Sequence, residues 1–332
     1  MDYMRVLKGA FQTTWRHKRI WLFAFLATVF GAGESSPRFR YSIGYRFPSD
    51  QALPQPLSEL LGNPLVRSFV EHPEPYLAAL GALTLLSLLI RLVGRSFTRA
   101  AMIAMVDEVE RTGATSIPSG AKAGAKTLPA VLGVSLLLAI PSVVLLIAIL
   151  ALAFPVFYPM MKEVLSSLIV AGGFEPSPPI NSQYPPFEAL SALFPSLFCL
   201  IGATWLIALL TSILERLSIR SSVLEQLGVL GSIRRGWTIG LKTLGYVIIT
   251  VIMFAVVAFV VTLIVAMPMM ALSLVSLVGL VQDPQHALNW AVIIIGSVYS
   301  LLASAVVGTI LSSLVETTWT KLYIAGAARP SA

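Results

Sequence analysis

From Leu244 to Met267 the chain runs for 24 residues without Asp, Glu, Lys, Arg or His. Runs of this kind limit the fold more than any other feature. About 20 apolar residues, rising about 1.5 Å each, cross the roughly 30 Å hydrocarbon core of a bilayer. A core helix in water needs only one apolar stripe. Six apolar stretches occur: Ile20–Gly33, Tyr76–Gly94, Leu128–Phe154, Ala189–Leu214, Leu244–Met267 and Ala287–Val315. The first is the shortest, Pro141 and Pro195 place kinks in the third and fourth, and the fifth continues past Pro268 in apolar sequence up to Val281. Backbone polar groups in lipid must be satisfied internally, so continuous apolar runs of this length are read as helices. The expected fold is an all-α polytopic bundle of six transmembrane helices, a single integral membrane domain over residues 1–332. With 12% charged residues against about 25% in ordinary soluble domains, the chain could not cover a water-facing surface. A soluble enzyme and a disordered chain are excluded on that ground, and a single cysteine, Cys199, excludes a disulfide scaffold.

The few charges are placed asymmetrically. Eighteen of the 23 basic residues fall in the N-terminal arm, the second-to-third and fourth-to-fifth connections, and the tail. The other connections hold only Arg38, Arg40, Arg46, Arg67 and Lys162, together with most of the acids. By the positive-inside rule both termini are cytoplasmic. The net charge of +7 therefore implies attraction to anionic headgroups at the cytoplasmic face, and no nucleic acid. An alternative reading takes the basic arm, Ile20–Phe30 and Gly31-Ala32-Gly33 as a cleavable secretory signal. Two proline-rich connections, 34–75 and 155–187, lie outside, each with seven of the 21 prolines. In the first, Phe39, Tyr41, Ile43, Tyr45 and Phe47 alternate at strand period and predict a short hairpin through Ser42–Gly44, its aromatics resting at the lipid interface. In the second, Val156–Val170 reads as an interfacial helix.

A threefold internal repeat is the most specific feature. Gly9, Gly120 and Gly231 are spaced 111 residues apart, and each opens a small-residue segment just before an odd-numbered span. Two of these segments end on Trp15 and Trp237, the third on Lys126. Leu210–Glu215 parallels Leu311–Glu316, with Arg220 and Lys321 five residues further on; in the second span Gly94 replaces the glutamate and Arg99 keeps the basic position. The expected repeats are 1–111, 112–222 and 223–332. Each comprises an amphipathic elbow helix on the inner surface, an outgoing span, an external loop and a returning span. Trp15, Trp21, Trp237 and Trp319 are the candidate interfacial anchors.

Catalytic patterns are missing. His17, His72 and His286 are scattered, and no metal motif, Walker sequence, dinucleotide fingerprint or nucleophile elbow occurs. Neither a cofactor nor a metal is expected, nor an enzyme. Ser135, Ser142, Ser273 and Ser297 read as helix-packing serines. The centres of the spans carry no ionisable side chain, which argues against an ion-coupled pump. Arg99, Glu215, Arg220, Glu316 and Lys321 form the candidate polar cluster at the cytoplasmic mouth, either as ion pairs clamping helix ends or as a ligand site.

Val223-Leu224-Glu225, then Ser232-Ile233-Arg234-Arg235-Gly236-Trp237 and a long apolar span, resembles a group of uncharacterised bacterial multi-pass membrane proteins. These are related to the membrane domain fused to some glycerophosphodiester phosphodiesterases. The likeness includes the Trp319–Tyr323 ending and covers the last third and the N-terminal elbow. The phosphodiesterase barrel with its metal ligands is absent, so no catalysis comes with the resemblance. It implies a bacterial inner-membrane protein. The leading expectation is a non-enzymatic scaffold, envelope-maintenance or regulatory protein with a protein partner or as a homo-oligomer. A permease subunit or lipid-translocating protein is the alternative, and a headgroup-acting membrane enzyme the third.

Overall fold

Long apolar sequence forms helix, and in the computed structural model the described residues are helical apart from short turns. Those residues are 3–31, 73–171, 187–282 and 287–327. They form eight helices and no strand: α1 Tyr3–Arg16, α2 Ile20–Val29, α3 Pro73–Thr112, α4 Ile117–Ala171, α5 Phe187–Leu224, α6 Val229–Lys242, α7 Leu244–Gln282 and α8 Ala287–Ala327. Five contain stretches long and apolar enough to cross a membrane: Ala78–Thr112, Ile117–Leu152, Phe198–Leu224, Leu244–Pro268 and Ile294–Ala327. Few residues of the apolar windows are buried, and Leu83, Ile147, Phe259 and Leu301 are each more than half accessible. Apolar surface on this scale requires lipid around it. The chain is a membrane protein.

The first stretch, Ile20–Gly33, forms a shorter helix than expected. Helix α2 covers ten residues, about 15 Å at 1.5 Å per residue and so about half the hydrocarbon core. It ends at Phe30, and Gly31 adopts a φ of +72°, a left-handed cap that costs glycine nothing. Helix α4 was expected to stop near Phe154 and instead runs unbroken to Ala171, absorbing the segment read as a separate interfacial helix. Pro155 removes a single donor, and the apolar residues on either side keep the helix going. Helix α7 likewise continues through Pro268 to Gln282. The hairpin expected around Ser42–Gly44 lies outside the described residues.

The chain divides into two compact units, Met1–Tyr41, Leu88–Leu137 and Ser212–Ala332 in one and Ser42–Ser87 with Leu138–Thr211 in the other. In the second, the described helical segments expose apolar side chains such as Leu150, Phe154 and Phe198, and Phe154 stacks on Tyr158.

The first unit holds the core, and the second half of α8 lies at its centre. Helix α8 packs against α1, α2, α6 and α7. Leu311, Ser313, Val315, Thr317, Trp319, Leu322 and Tyr323 are all buried. A helix buried on every side needs small side chains whose polar atoms are already satisfied. Thr317, Thr318 and Thr320 meet this need by donating to the carbonyls of Ser313, Leu314 and Glu316, at 2.7–2.8 Å. Around it, α2 buries Ile20, Phe23, Ala24 and Ala27 against Ala101, Met102, Met105 and Val106 of α3. Leu217, Ile239 and Val247 join α5, α6 and α7 to Trp319 and Tyr323.

The elbow segments sit on returning helices. The Thr14 hydroxyl of α1 donates to that of Thr317 of α8 at 3.3 Å. At the start of α4, Gly124 lies against the Phe97 carbonyl and Ala101 of α3. In α6, Gly236 lies against the Ser218 backbone of α5, and Ser221 donates to the Ser232 carbonyl at 2.8 Å. The turns are capped locally. Gly113 (φ +76°) ends α3, Gln226 (φ +53°) follows α5, and the Glu108 carboxylate accepts from Thr115 and Ser119 beside the α4 N-terminus.

A methyl group at Gly236 would stand 2.8 Å from the Ser218 nitrogen, whereas one at Gly245 meets nothing within 4 Å. Gly236→Ala is therefore expected to lower unfolding stability in detergent by about 1–3 kcal/mol through overpacking. Gly245→Ala should leave it unchanged or slightly raised, and thermal unfolding of the two variants checks this.

Candidate functional site

The ionisable side chains of the first unit gather where α3, α5 and α8 pass from apolar to polar sequence. Glu316 of α8 is buried, and its carboxylate accepts from the Arg220 guanidinium of α5. Arg220 also donates to the Arg216 and Glu316 carbonyls. Arg99 of α3, buried as well, holds its Nε 3.7 Å from the other Glu316 oxygen and its Nη1 3.4 Å from Glu215 of α5. Glu215 completes its set with Arg95 at 3.6 Å and the Ser135 hydroxyl of α4, which donates at 2.8 Å. Both Arg216 and Arg220 lie over the face of Trp319, at 5.5 and 5.9 Å from the ring centroid. Four helices thus contribute to one network. Its electrostatics depend on burial, since the same pairs in water would be worth little.

Four of the five expected residues, Arg99, Glu215, Arg220 and Glu316, meet in this network. Lys321 does not. It pairs with Glu110, near the end of α3. Arg99 of α3 reaches Glu215 of α5, and Arg220 of α5 reaches Glu316 of α8. The position that would answer Lys321 is Gly94, where the Phe30 ring lies so close that a Cβ would fall 2.5 Å from it. Lys321 turns instead to the part of α3 that outruns α5. Beside it, partial burial and the charges of Arg16 and Lys321 hold the His17 imidazole below its ordinary pKa.

Trp319 is corrected. It is 2% exposed and cannot reach a headgroup layer, because its face of α8 turns inward under two guanidinium groups. Trp15 and Trp237 are 51% and 56% exposed, each six residues after Gly9 or Gly231. Trp21 is partly buried, donates to the Thr14 carbonyl at 2.9 Å and makes an edge contact with Trp15. Arg95 and Arg216 are outside the five residues expected from the sequence, and Ser135, expected only to pack helices, instead donates to a carboxylate. The first two immediately follow Gly94 and Glu215 in sequence; nothing in the sequence around Ser135 marks it as a partner of a carboxylate. A smaller set lies at the α5–α6 turn. There Glu225 accepts from the Tyr323 hydroxyl at 2.6 Å and from Arg235 Nε at 3.1–3.2 Å, which raises the Arg235 pKa.

A cleft of about 380 Å3 opens between the ends of α3 and α5 and the start of α4, lined by Asp107, Glu108, Arg111, Ser119, Lys126 and Gln226 among others. Its charges are answered locally: Arg111 pairs with Asp107 at 2.9 Å, and Lys126 donates to Gln226 at 3.2 Å. Among the described residues no three His, Cys, Asp or Glu side chains gather as metal ligands. Chemically, the main site can fix helices relative to one another. Comparison with protein-family models, curated proteins and solved structures gives no match.

Truncating the tryptophans separates their roles. Trp319→Ala is expected to cost about 3–5 kcal/mol of stability, the range for a large buried aromatic. Trp15→Ala should leave unfolding within about 0.5 kcal/mol of the parent, as measured by chemical denaturation in detergent.

Proposed function

We propose that the chain is an integral protein of the bacterial cytoplasmic membrane that acts as a non-enzymatic scaffold, in envelope maintenance or regulation, through its cytoplasmic face. The observation that carries this reading is how the buried charges are used. Arg99, Glu215, Arg220 and Glu316 answer one another across α3, α5 and α8, while the apolar stretches 128–154, 244–267 and 294–315 contain no Asp, Glu, Lys, Arg or His. Such an arrangement holds helices in fixed relation and offers no charged path through the membrane. The bias of basic residues favours both termini inside. Exposed Trp15 and Trp237 beside Arg16 and Arg234 favour elbows lying against anionic headgroups.

The packing order supports a threefold repeat in which α2 is a short first member. The start of α4 rests on α3 and α6 on α5, so each elbow lies on the returning helix of the preceding unit. Helix α1 rests on α8, closing the third unit onto the first. The pairs Arg99–Glu215 and Arg220–Glu316 step from one unit to the next in the same sense. The resemblance to membrane domains of phosphodiesterase fusions fits a membrane module whose partner is a separate protein.

Crosslinking in intact membranes, followed by affinity purification of the tagged full chain and mass spectrometry, tests the scaffold reading. It predicts an envelope or signalling protein captured through Lys8, Lys122 or Lys242, unaffected by nucleotide. Stoichiometric capture of an ATP-binding subunit would contradict it and favour a permease.

A further inference from the structure

Helices α1 and α6 each bury one face on a returning helix. Ala10, Thr13 and Thr14 of α1 are buried, with Thr14 on Thr317 of α8. Ser232, Gly236 and Ile239 of α6 are buried, with Gly236 on Ser218 of α5. The other faces are exposed and follow one pattern. Residues i, i+4, i+7 and i+11 share a helix face. On α1 these are Met4, Lys8, Phe11 and Trp15, and on α6 they are Leu230, Arg234, Trp237 and Leu241, all exposed. Each line sets one cation among three large apolar side chains. Neither helix contains Asp or Glu, and Arg16 and Lys242 add a further cation in their last turns. Both stripes run on into lipid-facing sequence. Trp21 of α2 donates to the Thr14 carbonyl and makes an edge contact with Trp15, and the single residue Thr243 joins α6 to α7. Beyond these turns Leu22 and Phe25 of α2 and Leu244 and Ile248 of α7 are exposed. The start of α4 is built differently. The corresponding line on its exposed side is Pro118, Lys122, Ala125 and Pro129, which keeps the cation and has no large apolar side chain. Nor does a turn set this segment apart, because α4 runs from Ile117 through its apolar stretch as one helix.

We propose that the exposed stripes of α1 and α6 are docking surfaces for a leaflet of anionic phospholipid, and that the start of α4 stands clear of it. The aromatic and aliphatic side chains enter the boundary between headgroups and acyl chains. Lys8 and Arg234, each flanked by apolar side chains, meet phosphate oxygens at that depth. Charge complementarity selects the occupant, since two cationic helices without an acid fit an anionic surface. Continuity of the stripes with the exposed faces of α2 and α7 puts them against the lipid that surrounds those helices. On the scaffold reading, on which the choice of leaflet rests, the membrane thus takes α1 and α6. It leaves the start of α4, with Lys122 and Lys126 exposed, to water.

Site-specific fluorescence of the full chain in nanodiscs tests this. With the exposed Cys199 replaced (Cys199→Ser), Phe11→Cys, Trp237→Cys and Ala125→Cys each carry one bimane probe, and melting temperatures check that each variant is folded. The nanodiscs hold equal parts of phosphatidylcholine and phosphatidylglycerol. Brominated phospholipid is expected to quench the probes at the Phe11 and Trp237 positions about threefold or more strongly than at Ala125, since an interfacial helix sinks its apolar face about 5–10 Å into the headgroup boundary. The electrostatic arm uses unlabelled protein. The parent is expected to melt at a higher temperature in the mixed nanodiscs than in phosphatidylcholine alone. Lys8→Gln with Arg234→Gln should remove about half of that difference or more, and Lys122→Gln should leave it intact. Quenching at Phe11 and Trp237 no stronger than at Ala125 overturns the proposal and gives the stripes to a protein partner or a second copy. So does a phosphatidylglycerol effect that survives the double substitution or falls equally with Lys122→Gln. Neither arm involves a partner protein, so both outcomes are distinct from the crosslinking result that tests the scaffold.

Discussion

A carboxylate buried at the centre of a helical membrane protein dictates the positions of its neighbours. Glu316 is 5% exposed, and an uncompensated charge there would cost several kcal/mol. The fold meets that cost by bringing Arg220 from one helix and Arg99 from another. Two helices separated in sequence by more than a hundred residues are thereby fixed against α8. The rest of the first unit follows. Trp319 supplies an aromatic face under Arg216 and Arg220. The threonines of α8 satisfy themselves so that neighbours can approach, and Gly124 and Gly236 let the elbows lie directly on returning helices.

This concentration of polar interactions at one level explains why the apolar stretches need no specific contacts of their own. Leu83, Ile147, Phe259 and Leu301 are exposed, which costs little when the surroundings are lipid. Specificity resides in the charged level and the elbows, and so does any recognition. A scaffold held by such a level would present a fixed cytoplasmic surface, which suits regulation or assembly better than transport.

Much of this was legible in the sequence because the bilayer permits so few solutions. Apolar runs long enough to span had to be helices. Four of the five residues picked for the polar cluster meet in one network. The pairing itself was not legible, because it depends on the order in which helices sit around one another. Lys321 illustrates this: the sequence shows a basic residue in register, but only packing shows Phe30 occupying the place beside Gly94. Trp319 was misread because a tryptophan near a helix end looks the same whether it faces lipid or a neighbouring helix. The continuation of α4 past Pro155 was missed because one lost donor does not end a helix whose flanks remain apolar.

The most direct measurement of the central claim is a double-mutant cycle on Arg220→Met and Glu316→Leu, read by reversible unfolding in mixed micelles. If the two groups are a buried pair, each single substitution strands the other charge and costs about 3–5 kcal/mol, while the double variant recovers most of that loss. Losses that simply add, leaving the double variant as destabilised as the sum of the singles, would contradict the account.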